Sequence, residues 1–542
     1  MEGDTNHNAT CKLEYREAGG KEWRRGVDMW RVDSTGEIEK IPEGQFIFAG
    51  SVFALEPGTK YELRLTLEDA DGGGTEKVIA ASTRGELSLP KDMRVRYVVH
   101  GEGGGAGTKE DPFKGLAEAD AAAAPGDAFE FAPGTYEGTW RVTKSGAPGR
   151  PIVWRGPRDN SAVIDGMWAE RAVSAEGIEH VWFEHLSITK AQNALVAHGS
   201  SYVVVRRCRI FDTDCGFVAT HSLMKGNVVV DNLFEGRVPW MQDGKHITFR
   251  TNLVLDGKKY DISDMHAVMV SGEGTVVAYN RMKDWGDGIH GTGEQPKNAD
   301  DFYNNEISEC ADDGIEADSG AQNIRVWENR ITNCWQGIST QPVFGGPIYI
   351  FRNAIYNINV EPFKLHNSPR GVLLINNTTV KSPASQGGAF VLWTSAPVYH
   401  VFARNNLFAG GSGKYAIELS PALNEVDLDY DGYAGAGFAK FATWSRVPYD
   451  TLAEFQKATG QEMHCVMLPP EGLFASGLGL PKSPEDMLDF AKNDLRPAEK
   501  SGAIDAGIAV PGITDGYKGK APDLGAYEYG TPLPHYGPRV EE

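Results

Sequence analysis

Residues 284–366 repeatedly place acidic and basic side chains at matched distances from an apolar residue. Ile289, Ile315, Ile338 and Phe363 fall 26, 23 and 25 residues apart. One residue past these positions, with Val268 counted one repeat earlier, stand Met269, His290, Glu316, Ser339 and Lys364; three residues past stand Ser271, Thr292, Asp318, Gln341 and His366. Side chains of a strand alternate between its two faces, so both sets point away from the apolar interior. Parallel strands lie ~4.8 Å apart and alternate residues ~6.6 Å apart along a strand, which gathers these side chains into one outer patch. Asp287, Asp313 and Glu361 precede the strands at equivalent positions, with Asp312 beside them.

Such a patch suits cleavage of a glycosidic bond. Hydrolysis needs one protonated carboxyl for the leaving oxygen and one ionised carboxylate as base or nucleophile. Like charges on adjacent turns raise one pKa and supply that asymmetry. The candidate catalytic residues are therefore Glu316, Asp318, Asp313, Asp287, Lys364 and His366. His290, Gln341 and Arg352, the last from the run IYIFRN, are candidate substrate-binding groups, and Trp285 and Trp335 are candidate sugar platforms beside the polar turns. Trp240 and Trp393 are weaker platform candidates, because aromatic residues also stack inside such folds. β-Elimination on a uronate polymer would use the same residues differently. Lys364 or His366 would abstract the proton alpha to the carboxylate, while Asp287, Asp313, Glu316 or Asp318 would hold Ca²⁺. The hydrolase reading is preferred and requires no cofactor or metal. Asp287 and Asp313 also suit plain turn capping, since Asp-Gly is turn chemistry; Glu, Lys and His on a strand have no such explanation.

The elements that position these residues repeat. The apolar register extends to Val173, Leu195, Phe217 and Val268 on one side and to Phe390 and Ile417 on the other, with one irregular turn between Phe217 and Val268. Periods of this size signal a solenoid. A second ladder, Asn252, Asn280, Asn305, Asn329, Asn353, Asn377 and Asn406, is spaced 28, 25, 24, 24, 24 and 29 residues. Asparagine amides both donate and accept, so they can stack where each coil turns. Cys310 and Cys334 share that spacing, as a disulfide or, preferably, an apolar stack. Upstream, residues 94–137 read as a Gly-rich turn, an amphipathic helix over 113–124 ended by Pro125-Gly126, and a strand. The glycines make no phosphate loop, because no Lys-Ser/Thr follows them.

With the two ladders, this segment resembles the N-terminal cap of right-handed parallel β-helix proteins of the pectin lyase-like superfamily. The resemblance implies that fold over residues 93–430. It also implies lyase, hydrolase, epimerase or noncatalytic roles, with Lys or Arg bases and frequent calcium among the lyases, and maps no catalytic motif onto this chain. Residues 1–92 alternate as an antiparallel β-sandwich, and LEPGTKYELRLTLED resembles a late strand of fibronectin type III domains, with fewer strands ahead of Cys11 than such a domain has. After Tyr430 the repeat fades; YDTLAEFQKATG predicts a helix, and SGAIDAGI with APDLGAYEYG predicts a cap over 431–542 that folds back on the solenoid. The expected fold class is all-β.

A net charge of -21 opposes binding to nucleic acid or an anionic membrane. Six cysteines make no disulfide framework, and no transmembrane span or signal peptide is apparent, although a removed export signal fits the reading. A secreted or periplasmic enzyme acting on a polysaccharide or oligosaccharide is expected. A noncatalytic glycan-binding solenoid would show a flat aromatic face without the mid-chain acid-base cluster.

Overall fold

The structure is a computed structural model that describes residues 4, 6–33, 46–221, 224–291 and 297–540. Two long parallel sheets, of 17 and 14 strands, wind together as a right-handed β-helix, and a short third sheet carries Phe390–Leu392, Tyr415–Leu419 and Lys440–Trp444. The apolar ladder forms as the period predicts. Val173, Leu195, Phe217, Val268, Ile289, Ile315, Ile338 and Phe363 pair in succession and are all fully buried. Each coil adds one more apolar layer to a core open only at its ends, which is how a solenoid outgrows a globular core.

The asparagine ladder runs along one buried corner. Each Nδ2 donates to the Oδ1 of the next residue, from Asn232 to Asn280 (2.9 Å) and on through Asn305, Asn329, Asn353, Asn377 and Asn406 to Asp431 (2.9 Å). Each Oδ1 also accepts the preceding backbone N–H, as Asn329 does from Asn305 at 3.1 Å. Asn252 is not part of it. Asn232 takes that rung, and Asn252 lies in an excursion over residues 236–265 that leaves the coil between strands Leu233–Glu235 and His266–Val270. Cys310 and Cys334 sit in register as free buried thiols.

A helix Leu116–Ala122 lies over the first coils. Parallel pairing continues beyond Tyr430, to Val466–Leu468. Helix Leu452–Thr459 has the capping box its sequence encodes, Thr451 with Glu454, and ends at Gly460 in the left-handed region. The tail then runs back along the solenoid: Ile508 bonds Asn405, Ile513 bonds Arg352, Gly537 bonds Asn304, and Arg539 grips Asp231 at 2.7 Å. At the N-terminus a four-stranded antiparallel sheet, with Thr10–Glu17 and Lys60–Glu68 central, accompanies the pair Trp30–Asp33 and Phe46–Ala49. This region docks through Phe53, whose ring meets Tyr349 and Phe351 at 5.0 and 4.8 Å. Among the described residues no helix is long and apolar enough to cross a membrane.

Candidate active site

Strand Glu306–Glu316 shows how the patch is built. It pairs with Arg281–Trp285 through its first half and with Asp287–Gly291 through its second, so it spans a corner. At that corner Gly288 and Gly314 face inward: a Cβ on either would strike the core side chain of Ile307 or Ile331 at 2.7 or 2.8 Å. Glycine and the following isoleucine both point in. The aspartate before the glycine therefore joins the outward residues after the isoleucine on one outer face, and side chains of both columns meet there.

They meet closely. Asp287 Oδ2 lies 3.0 Å from His266 Nδ1 and 3.5 Å from His290 Nδ1, and the two imidazoles stack at 4.2 Å. His290 contacts Glu316. Lys364 Nζ donates to Asp313 Oδ2 at 2.6 Å and stands 3.6 Å from Glu316. Asp287 Oδ1 accepts the Asp313 backbone N–H at 2.9 Å, and Asp318 Oδ1 accepts from Ser339 Oγ and the Gln341 backbone N–H, both at 2.8 Å. His366 pairs with Glu361 at 3.0 Å, and the other Glu361 oxygen accepts the Trp393 backbone N–H. Outward here does not mean solvated. The 236–265 excursion walls one side, bonding Gly286 through Met265 O and Ala311 through the Phe249 N–H, so Asp287, Asp313, Glu316, Asp318 and Lys364 are all buried.

Burial and crowding separate the carboxyls. Burial, with the charges of Asp287 and Asp318, pushes Glu316 well above the usual carboxylate range. Burial, then Asp313 and Asp287, lifts Asp312 to about 9. For Asp313, burial raises the value, Lys364 opposes it, and the outcome is about 6. Burial acts upward on Asp287 too, but hydrogen bonds with His266 and His290 outweigh it and hold that carboxylate ionised. Burial alone would discharge His290, yet Asp287 and Glu316 raise it to about 10. Lys364 likewise stays an ammonium, because Asp313, 2.6 Å away, more than offsets its burial.

The structure brings together Asp287, His290, Asp313, Glu316, Asp318 and Lys364, places His366 beside Glu361, and sets the half-buried Trp335 against the excursion, its ring 5.9 Å from that of His246. Thr292 lies outside the described residues. Two substrate-binding expectations are corrected. Trp285 shares the interior column of Cys310, Cys334 and Ile358 and is wholly buried, so no sugar reaches it. Arg352 lies on the other long sheet, where its guanidinium donates to Ile513 O at 3.1 Å beneath the C-terminal tail. Gln341 bonds the site through its backbone. Sequence reasoning missed His266, although it stands two residues before Val268 as Asp287 does before Ile289, and the register that places Val268 before Ile289 carried that signal.

Two sets of side chains could hold a metal ion, with donor atoms all within 4.8 Å: His266, Asp287 and His290, or Asp287, Asp313 and Glu316. The second set is all oxygen, which suits calcium, and the buried Asp313 Oδ1 accepts no hydrogen bond among the described residues.

Residues 257–408 match the family described as a right-handed beta helix region. The uncharacterized protein YwoF of Bacillus subtilis is 43% identical over 60 residues, which is 11% of this chain and 13% of that relative's length. Among solved structures, pectate lyase Pel9A is 18% identical with a TM-score of 0.43, over 82% of this chain and 97% of its own. The GH136 lacto-N-biosidase from Eubacterium ramulus is 12% identical with a TM-score of 0.41, over 69% of this chain and 67% of its own. None of these likenesses assigns this chain an activity.

Proposed function

We propose that this chain is a secreted or periplasmic carbohydrate-active enzyme that hydrolyses glycosidic bonds of a polysaccharide at the Asp287–Glu316–Lys364 patch, with the N-terminal sheets as a packing module. Glu316 is the proton donor to the leaving oxygen. Asp318, oriented by Ser339 and the Gln341 backbone, is the base or nucleophile two residues along the same strand. Asp313 and Lys364 form a fixed ion pair beneath them, and His290 hydrogen-bonds substrate hydroxyls from the more open side of the patch.

The observation that carries this reading is the state of Lys364. A lysine base must shed its proton, whereas this ammonium is caged by Asp313 at 2.6 Å and is driven toward permanent charge. A neighbouring carboxyl that keeps its proton, Glu316, is what hydrolysis requires. The second reading is lyase action on a uronate polymer, favoured by the oxygen donors of Asp287, Asp313 and Glu316. Those residues would hold Ca²⁺, which would neutralise the substrate carboxylate and release Lys364 from its cage.

Digestion of plant and algal polysaccharides, read by reducing ends and by unsaturated-uronate absorbance with and without EDTA, separates the two. The hydrolase reading expects reducing ends without the absorbance and no loss under EDTA. A calcium-restored activity with unsaturated products overturns it.

A further inference from the structure

An exposed tryptophan stands apart from the acid-base cluster. Met167 and Trp168 both adopt the left-handed region, φ +51° and +60°, at an irregularity in strand Ala162–Ser174 between Asp165 and Ala169. Side chains as bulky as these rarely enter that region, and the surroundings must hold them there. Asp165 does so in part: its Oδ1 accepts the Met167 N–H at 2.9 Å while Oδ2 pairs with Lys190 at 2.7 Å. The conformation lifts both side chains off the sheet, leaving Trp168 44% exposed.

One face of that indole is covered. The Arg237 guanidinium lies 4.5 Å from the ring centroid and 5.3 Å from that of Tyr260, and it is fixed by Asp214 at 2.9 Å, Asp256 at 3.1 Å and Asp212 at 3.4 Å. The Arg237 side chain is only 8% exposed, so it lies beneath the tryptophan and the ring's exposed area belongs to its opposite face. A rigid indole with one face backed and the other open fits the flat C–H face of a pyranose ring.

The platform is tied to the candidate active site. Gly236 and Val238, either side of Arg237, donate to Lys283 O at 2.8 Å and Asp284 O at 2.9 Å, on the coil that carries Asp287. The Trp168 backbone precedes that coil by the pairings Val173, Leu195, Phe217, Val268 and Ile289, or ~19 Å at ~4.8 Å per strand, and its side chain leans toward Arg237 and so toward the site. We infer that Trp168 is a remote stacking subsite for a sugar ring of a polysaccharide that lies across successive coils and reaches Glu316 several sugar residues further on. The inference rests on the proposed carbohydrate activity and extends it to a preference for long chains.

The test is native affinity electrophoresis through gels containing polygalacturonate, alginate or xylan, with the Glu316→Gln chain so that no probe is consumed. At least one polymer is expected to retard that chain. Adding Trp168→Ala should abolish most of the retardation, and adding Trp168→Phe, which keeps a flat ring, should preserve most of it. Equal retardation with and without Trp168 overturns the platform and leaves the proposed activity standing. Retardation by none of the polymers overturns the polysaccharide reading and the platform together.

Discussion

Ile315 and Glu316 are neighbours in one strand and should answer mutation in opposite ways. Ile315→Asp places an unpaired charge in a core with no water on that side, so a loss above about 4 kcal/mol and unfolding of the central coils are expected by thermal melting. Glu316→Gln removes one of several crowded carboxyls and should leave the melting temperature nearly unchanged while abolishing cleavage in the polysaccharide digest. The reverse order of stabilities would place the strand one residue out of register. Asp312 offers a pH test. Its pKa is raised in the folded chain to about 9, so folding favours its protonated form. The stability it contributes is complete below the ordinary Asp value and is lost as pH climbs through about 9. Asp312→Asn should therefore flatten the fall in melting temperature between mildly acidic and alkaline pH. An unchanged slope would mean that Asp312 is ionised throughout.

At the scale of the element, the asparagine ladder is the feature most open to a quantitative check. Asn329 accepts from the Asn305 backbone and amide and donates to Asn353 Oδ1, Phe302 O and Trp327 O. Asn329→Ala leaves several of these buried groups unsatisfied, at roughly 1–3 kcal/mol each, so a destabilisation of at least about 3 kcal/mol is expected in urea. A change under about 1 kcal/mol would show that the corner is held by apolar packing instead. The ladder was legible in sequence because a solenoid repeats its corner at nearly constant spacing. The false rung at Asn252 arose where spacing stopped being informative: the 236–265 excursion inserts residues between consecutive rungs, and Asn252 falls by chance near the expected interval.

For the whole molecule, the returning tail acts as a strap. It contacts coil after coil from Asn405 to Asp231, where the Arg539 guanidinium makes two hydrogen bonds, at 2.8 and 2.7 Å, its backbone N–H a third at 3.1 Å, and its side chain lies 4.0 Å over Tyr279. A chain ending at Tyr529 loses this clasp together with the Tyr536 hydroxyl that meets Tyr527 at 2.7 Å. It should melt at a lower temperature yet keep its cleavage activity, since none of those contacts touches the patch. Loss of activity without loss of stability would mean that the tail shapes the site.

Sequence by itself determined the coil register and the outer column His290, Glu316, Ser339, Lys364, because a period of two within a strand and a near-constant repeat between strands leave little freedom about what stacks on what. It did not determine which of these side chains would be buried or ionised. Burial depends on the excursion that walls the patch and on the meeting of two columns across a glycine corner, and both join residues whose separation follows no period. Trp285 and Arg352 misled for the same reason: a polar neighbourhood in sequence says nothing about the side of the sheet on which a ring or guanidinium ends. Arg237 came to lie beneath Trp168 only once the tertiary fold had brought distant segments of chain to adjacent coils.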